Sequence, residues 1–112
     1  MFEVREYVDP KGHVPYRDWL IRLDSSAKAR ITTAVLRLEL GNFAAAKSVG
    51  AGVFELRLDF GPGYRVYFGK DGERLVILLA GGTKKRQQED IEVAQKLWIE
   101  YKRRKRENKK EK

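Results

Sequence analysis

The stretch "VFELRLDFGPGYRVYFGKDGERLVILLAGG", Val53–Gly82, decides the fold, because its hydrophobic period is two and its breaks are turn chemistry. Phe54, Leu56, Leu58 and Phe60 point one way and Glu55, Arg57 and Asp59 the other, as in a strand with one face on a core. "GPG" supplies a proline with a fixed torsion between two glycines that tolerate left-handed backbone. "YRVYF" resumes the alternation with Tyr64, Val66 and Phe68 against Arg65 and Tyr67. Asp71-Gly72 is a strong two-residue hairpin signal, and "RLVILLAGG" is apolar on both faces, as expected of a central strand covered on both sides. Three strands joined by two tight turns predict an antiparallel meander.

The flanks change period. Upstream, "FEVREYV" alternates Phe2, Val4 and Tyr7 against charged neighbours and predicts a first strand, ended by Pro10, Gly12 and Pro15. "YRDWLIRL" places Trp19, Leu20 and Leu23 on one helical stripe behind Pro15. A second helix opens at the capping candidates Asp24 and Ser25, repeats Ala27, Ile31, Val35 and Leu38, and stops at Gly41-Asn42. "FAAAKSVGAG" reads as a connector. Downstream, "KKRQQEDIEVAQKLWIEY" predicts a closing helix with Ile91, Ala94, Leu97, Trp98 and Tyr101 inward and Glu89 and Asp90 near its positive end. The whole is an α+β domain: N-terminal strand, helical hairpin, three-stranded meander and C-terminal helix packed on one mainly antiparallel sheet.

Composition limits the chemistry. A chain of 112 residues fits one domain, taken as residues 1–101, with a basic extension over 102–112. Of the net charge of +8, the tail "KRRKRENKKEK" supplies +6 and the domain only +2. The absence of cysteine removes disulfides and thiolate metal sites, and a lone His13 cannot build a zinc centre, so no metal or cofactor is expected. Charges at Glu3, Arg5 and Glu6 stand where a signal peptide needs an apolar run, and no stretch approaches about 18 apolar residues, so an unexported cytoplasmic protein is expected with no membrane partner.

Two polar clusters are candidates for function. Arg57 and Arg65 lie on the polar phase of strands joined by a short turn, with Tyr67 two residues on, so two guanidiniums and a phenol share one face. Spacing alone leaves two readings open: solvated positions paired with Glu55 and Asp59, or a phosphate-binding face using bidentate guanidinium forks. "GGTKKRQ" puts Lys84, Lys85 and Arg86 at a helix start, where cations oppose the dipole by about 0.3–1 kcal/mol each. An incoming polyanion is one compensation, and a solvated basic flank is the plainer alternative.

"GVFELRLDFGPGYRVYFG" and "LLAGGTKKRQQEDIEVA", preceded by "WLIRLDSSAKARI" and "LELGN", resemble the RelE/ParE superfamily of toxin-antitoxin toxins. The nearest branch is the HigB-like addiction module killer proteins, and the resemblance covers roughly Val14 to Tyr101. It implies a type II toxin neutralised by a cognate antitoxin, commonly a helix-turn-helix protein, in a toxin-antitoxin hetero-oligomer. It further implies a ribosome-dependent endoribonuclease that cuts mRNA by attack of a ribose 2′-hydroxyl on the adjacent phosphate. Carried over by position, Arg57 and Arg65 contact that phosphate, Tyr67 and Lys84 complete the catalytic set, and Lys85, Arg86 and Arg74 contact RNA. Thr83 and Arg86 depart from the usual aspartate and hydroxyl positions, and "GNFAAAK" lacks the usual glycine-acid pair. ParE-like gyrase inhibition and a non-catalytic antitoxin-binding module are the alternatives on the same scaffold.

Overall fold

A computed structural model describes residues 1–110. In chain order the elements are β1 (Glu3–Glu6), α1 (Pro15–Leu20), α2 (Ser25–Glu39), β2 (Ala46–Ser48), β3 (Val53–Leu58), β4 (Tyr64–Asp71), β5 (Leu75–Thr83), a 3₁₀ turn (Lys84–Arg86) and α3 (Gln87–Lys110). The meander forms as its alternation dictates, but the sheet has five strands, ordered β1-β5-β4-β3-β2. The expected connector supplies β2, antiparallel to β3 through Ala46↔Leu56 and Ser48↔Phe54. Three residues are too few to display a period, so sequence pattern alone does not reveal this strand. β1 adds to the far side of β5 in parallel, Val4 opposite Val76.

Local chemistry sets the helix limits. The Asp24 carboxylate accepts a hydrogen bond from the Ala27 amide at 2.8 Å, capping α2. Gly41, at φ +83°, turns the chain out of α2 where a side chain would be strained. α3 continues beyond Tyr101 to Lys110, and Arg104 and Lys105 reach back to the Val8 carbonyl and Asp71 at 2.7 and 2.6 Å. The last two residues of the expected extension, 111–112, lie outside the described residues.

The sheet has helices on both faces, and each face carries its own apolar cluster. One phase of the strands, with Leu56, Leu58, Val66, Phe68 and Leu78, packs under α1 and α2 on Leu20, Ile31 and Leu38. The other, with Val53, Tyr67, Ile77 and Leu79, packs under α3 on Ala94 and Trp98. Glycines admit the two indoles: a β-carbon at Gly81 would lie 2.1 Å from the Trp19 ring, and one at Gly69 would lie 2.5 Å from the Trp98 ring. Trp98 is buried and Trp19 partly buried, in keeping with their places on apolar stripes.

Gly69→Ala is expected to destabilise the protein by about 1–3 kcal/mol through overpacking against Trp98. In a Trp98→Ala background the same substitution should have little effect, a coupling that urea unfolding of the four proteins measures.

Candidate active site

The turn between β3 and β4 and the end of β5 build one cleft. Phe60-Gly61-Pro62-Gly63 closes with the Gly63 amide donating to the Phe60 carbonyl at 3.0 Å, with Gly61 at φ +53° and Gly63 at φ +77°. The Gly63 carbonyl then accepts from the Lys84 amide at 2.9 Å and from Arg65 Nη1 at 3.0 Å, tying the turn to the end of β5. A β-carbon at Gly63 would stand 3.3 Å from both Arg65 Nη1 and Lys84 Cβ, so glycine suits this position by space as well as by torsion. The cleft, about 390 Å³, is lined by Arg57, Asp59, Phe60, Arg65 and Lys84 together with the turn.

Strand register fixes the charges beneath it. Arg57 lies directly opposite Arg65, and Glu55 directly opposite Tyr67, all four on the face under α3. Two like charges opposed across a strand pair repel, and the Glu55 carboxylate answers both. Its Oε1 stands 3.7 Å from Arg57 Nε, 3.8 Å from Arg65 Nε and 4.0 Å from Lys47 Nζ, the last brought in by β2. Its Oε2 accepts a hydrogen bond from Gln87 Nε2 at 2.7 Å, anchoring the first residue of α3. Glu55 is fully buried, and neither its Oε1 nor Arg65 Nε forms a hydrogen bond. The carboxylate thus holds the cations by charge at ion-pair distance. Arg65 Nη1 also donates to the Tyr64 carbonyl at 3.2 Å.

Burial sorts the sequence-derived residues. Arg57 has a side chain 45% exposed and Lys84 is exposed, so both present their charge to the cleft. Arg65 is only 2% exposed and forms the cleft wall, which corrects its reading as a solvated side chain. Tyr67 is fully buried with its hydroxyl unpartnered. Burial, reinforced by the charges of Glu55 and Asp90, pushes its phenol well above the usual tyrosine range and keeps it protonated. Lys85 and Arg86 are exposed on the 3₁₀ turn beside the cleft, Arg86 paired with Glu89 at 2.6 Å. Arg74 is not part of this group. It sits in the hairpin at the opposite end of β4, which extends six residues from Arg65 to Asp71, about 20 Å.

Three residues absent from the sequence-derived set belong to the site's frame: Glu55, Gln87 and Asp90. Asp90 lies over the strand end opposite Arg65, where a β-carbon at Gly82 would come within 1.9 Å of its Oδ2. Burial raises the Asp90 pKa, the Arg86 charge opposes this and Glu89 adds to it. The available signal was Glu55 on the same strand phase as Arg57, and Asp90 one helical turn from Arg86.

Residues 18–98 match the family of phage-derived Gp49-like proteins. The chain belongs to that family. Gp49-like proteins are a toxin-antitoxin-related family of RelE/Gp49 type. The matched span holds every cleft residue and ends at Trp98, the last residue of α3 that is buried among those whose burial is described. A Haemophilus influenzae protein described as uncharacterized is 47% identical over 88 residues, covering 78% of this chain and 89% of its own. Family membership brings an antitoxin partner into view. Among the described residues no helix is long and apolar enough to cross a membrane.

Glu55→Gln removes one partner of a buried ion cluster, and a loss of about 3–5 kcal/mol is expected by urea unfolding. Adding Arg65→Met should restore part of that loss. For Asp90, the raised folded pKa means its contribution to stability is present below the unfolded pKa and lost as pH rises through the folded value. Asp90→Asn should therefore gain stability over the wild type at pH 7, with the gain shrinking toward pH 3.8, as thermal melts across that window would read.

Proposed function

We propose that the protein is the toxin of a type II toxin-antitoxin pair, HigB-like within its family, and that it cleaves mRNA on the ribosome in the cytoplasm. The observation supporting this reading is the opposed Arg57–Arg65 pair beside Lys84 at one cleft. Such a group suits a phosphodiester whose negative charge grows during reaction, because guanidiniums remain protonated and offer planar forks to phosphate oxygens.

The reaction needs no metal-bound water. The ribose 2′-oxygen attacks the adjacent phosphorus, the bond to the 5′-oxygen breaks with its electron pair, and the products are a 2′,3′-cyclic phosphate and a 5′-hydroxyl end. Arg57 stabilises the pentacoordinate phosphate from the open side of the cleft, the buried Arg65 adds its charge from the wall, and Lys84 gives a proton to the departing oxygen so that it leaves as a hydroxyl. We assign the 2′-hydroxyl proton to Asp59, the carboxylate lining the cleft. Tyr67 supports Arg65 from beneath. Lys85 and Arg86 extend the cationic margin on the 3₁₀ turn. Neutralisation by a helix-turn-helix antitoxin accords with the family.

The test is induction without antitoxin, followed by mapping of mRNA 5′ ends. Wild type should produce new ends bearing 5′-hydroxyls. Arg57→Ala should lower cleavage about 10²–10³-fold, the range for losing one preorganised charge donor, with the folded state retained because Arg57 is half exposed. Growth arrest without new ends, accompanied by DNA-damage signalling, would overturn the ribonuclease reading in favour of gyrase inhibition.

A further inference from the structure

A second concavity, about 630 Å³, lies between α2 and the edge of β3. β2 opens it by being short. Its first residue, Ala46, stands opposite Leu56, the Arg57 amide still reaches the Ala45 carbonyl at 3.2 Å, and beyond that point no strand covers the β3 edge. Leu56 and Leu58 contribute apolar floor, and Arg30, Arg37 and Arg57 contribute three guanidiniums against the single carboxylate of Asp59. Arg30 and Arg37 are seven residues apart on α2, hence on the same face and about 10 Å apart along its axis. The helix dipole favours Arg37 in the last turn but offers nothing to Arg30 in the middle. The Arg30 guanidinium instead lies over the Phe60 ring at 4.5 Å. Arg57, Asp59 and Phe60 line this groove and the cleft alike, so the two are continuous around the end of β3.

We propose that this groove carries the single-stranded RNA flanking the phosphate held in the cleft, with Arg30 and Arg37 taking successive phosphates and a base stacking on the Arg30–Phe60 pair. A cationic groove with a planar stacking platform and an apolar floor is the arrangement that holds single-stranded nucleic acid without reading its sequence. Continuity with the cleft gives the strand its direction of travel, and the arginine excess gives the sign of the ligand. The proposal rests on the ribonuclease reading and adds that α2, remote from the reacting phosphate, sets how many flanking nucleotides count.

The probe is a fluorescein-labelled 2′-O-methyl dodecaribonucleotide, which lacks the attacking hydroxyl, followed by fluorescence anisotropy over a range of salt. Arg30→Glu with Arg37→Glu should weaken binding at least about tenfold and reduce the salt slope by about 1.4, two phosphate contacts at ~0.7 each. Lys11→Glu with Lys96→Glu makes the same charge change on exposed residues outside both concavities and should shift affinity less than about twofold. Arg30→Lys keeps the charge and loses the planar stack, so an intermediate loss is expected. Thermal melts check that each variant is folded. Equal losses in both charge-reversed pairs, or no loss in either, would overturn the proposal. If mRNA on added ribosomes is cut normally by the Arg30/Arg37 variant, the groove fails and the ribonuclease reading stands. If wild type neither cuts mRNA on added ribosomes nor binds the probe, both fail together. Loss of binding to a co-expressed antitoxin with RNA binding intact would assign the groove to a protein partner instead.

Discussion

β4 has no solvent face along the part that matters. It is the middle strand of five, with α1 and α2 on one side and α3 on the other, so from Tyr64 to Gly69 every side chain is buried. Arg65 and Tyr67 occupy the phase that α3 covers. A guanidinium withdrawn from water needs a compensating charge nearby, and β3 supplies it in Glu55. A buried carboxylate needs its own partners, and α3 supplies one in Gln87. The placement of one arginine in the central strand thus ties together β3, β4 and the first turn of α3.

Such a cluster adds little to stability, because desolvating its charges offsets most of their attraction. The two apolar clusters carry the fold. What the buried charges supply is orientation. Arg65 is held by two carbonyls and by Glu55, and the Gly63 carbonyl that holds it also receives the Lys84 amide. Turn, strand end and helix start are therefore tied together, and the backbone that carries Arg65 and Lys84 is set in place before any ligand arrives. Preorganisation of this kind is what stabilising charge that develops during a reaction requires.

The period-two runs made β3, β4 and β5 legible, and Asp24 and Gly41 marked the ends of α2. β2 was hidden because three residues, one of them Lys47, show no alternation. The depth of Arg65 and Tyr67 was hidden for a different reason. Polar residue types on one strand phase imply solvent, and nothing in the local pattern states that a helix from the far end of the chain lies over them. Asp90 reads in sequence as a dipole partner at a helix start, and only the glycine opposite Arg65 reveals its closeness to the strand. Arg74 fails in the opposite direction. It belongs to the same basic stretch as Arg65, but the Asp71-Gly72 hairpin carries it to the other end of the sheet.

The distribution of charge along α3 separates two electrostatic ranges. The helix starts among the carboxylates of the site's frame, and its cations gather from Lys102 onward. From Gln87 to Lys102 is 15 residues, about 22 Å along the axis, against a Debye length of about 8 Å at physiological ionic strength. The tail's charge is therefore screened from the cleft and cannot supply the local pull on a phosphate there. Several of its cations are also engaged, Arg103 with Glu100 and Glu107 and Lys105 with Asp71. The cleft must rely on Arg57, Arg65 and Lys84, opposed only by nearby carboxylates. A short RNA seated in the cleft gains little from the distal cations, whereas a polyanion large enough to lie along the whole helix meets both ends at once. On the proposed function, that difference in reach is what would make free RNA a poorer substrate than RNA presented on a ribosome.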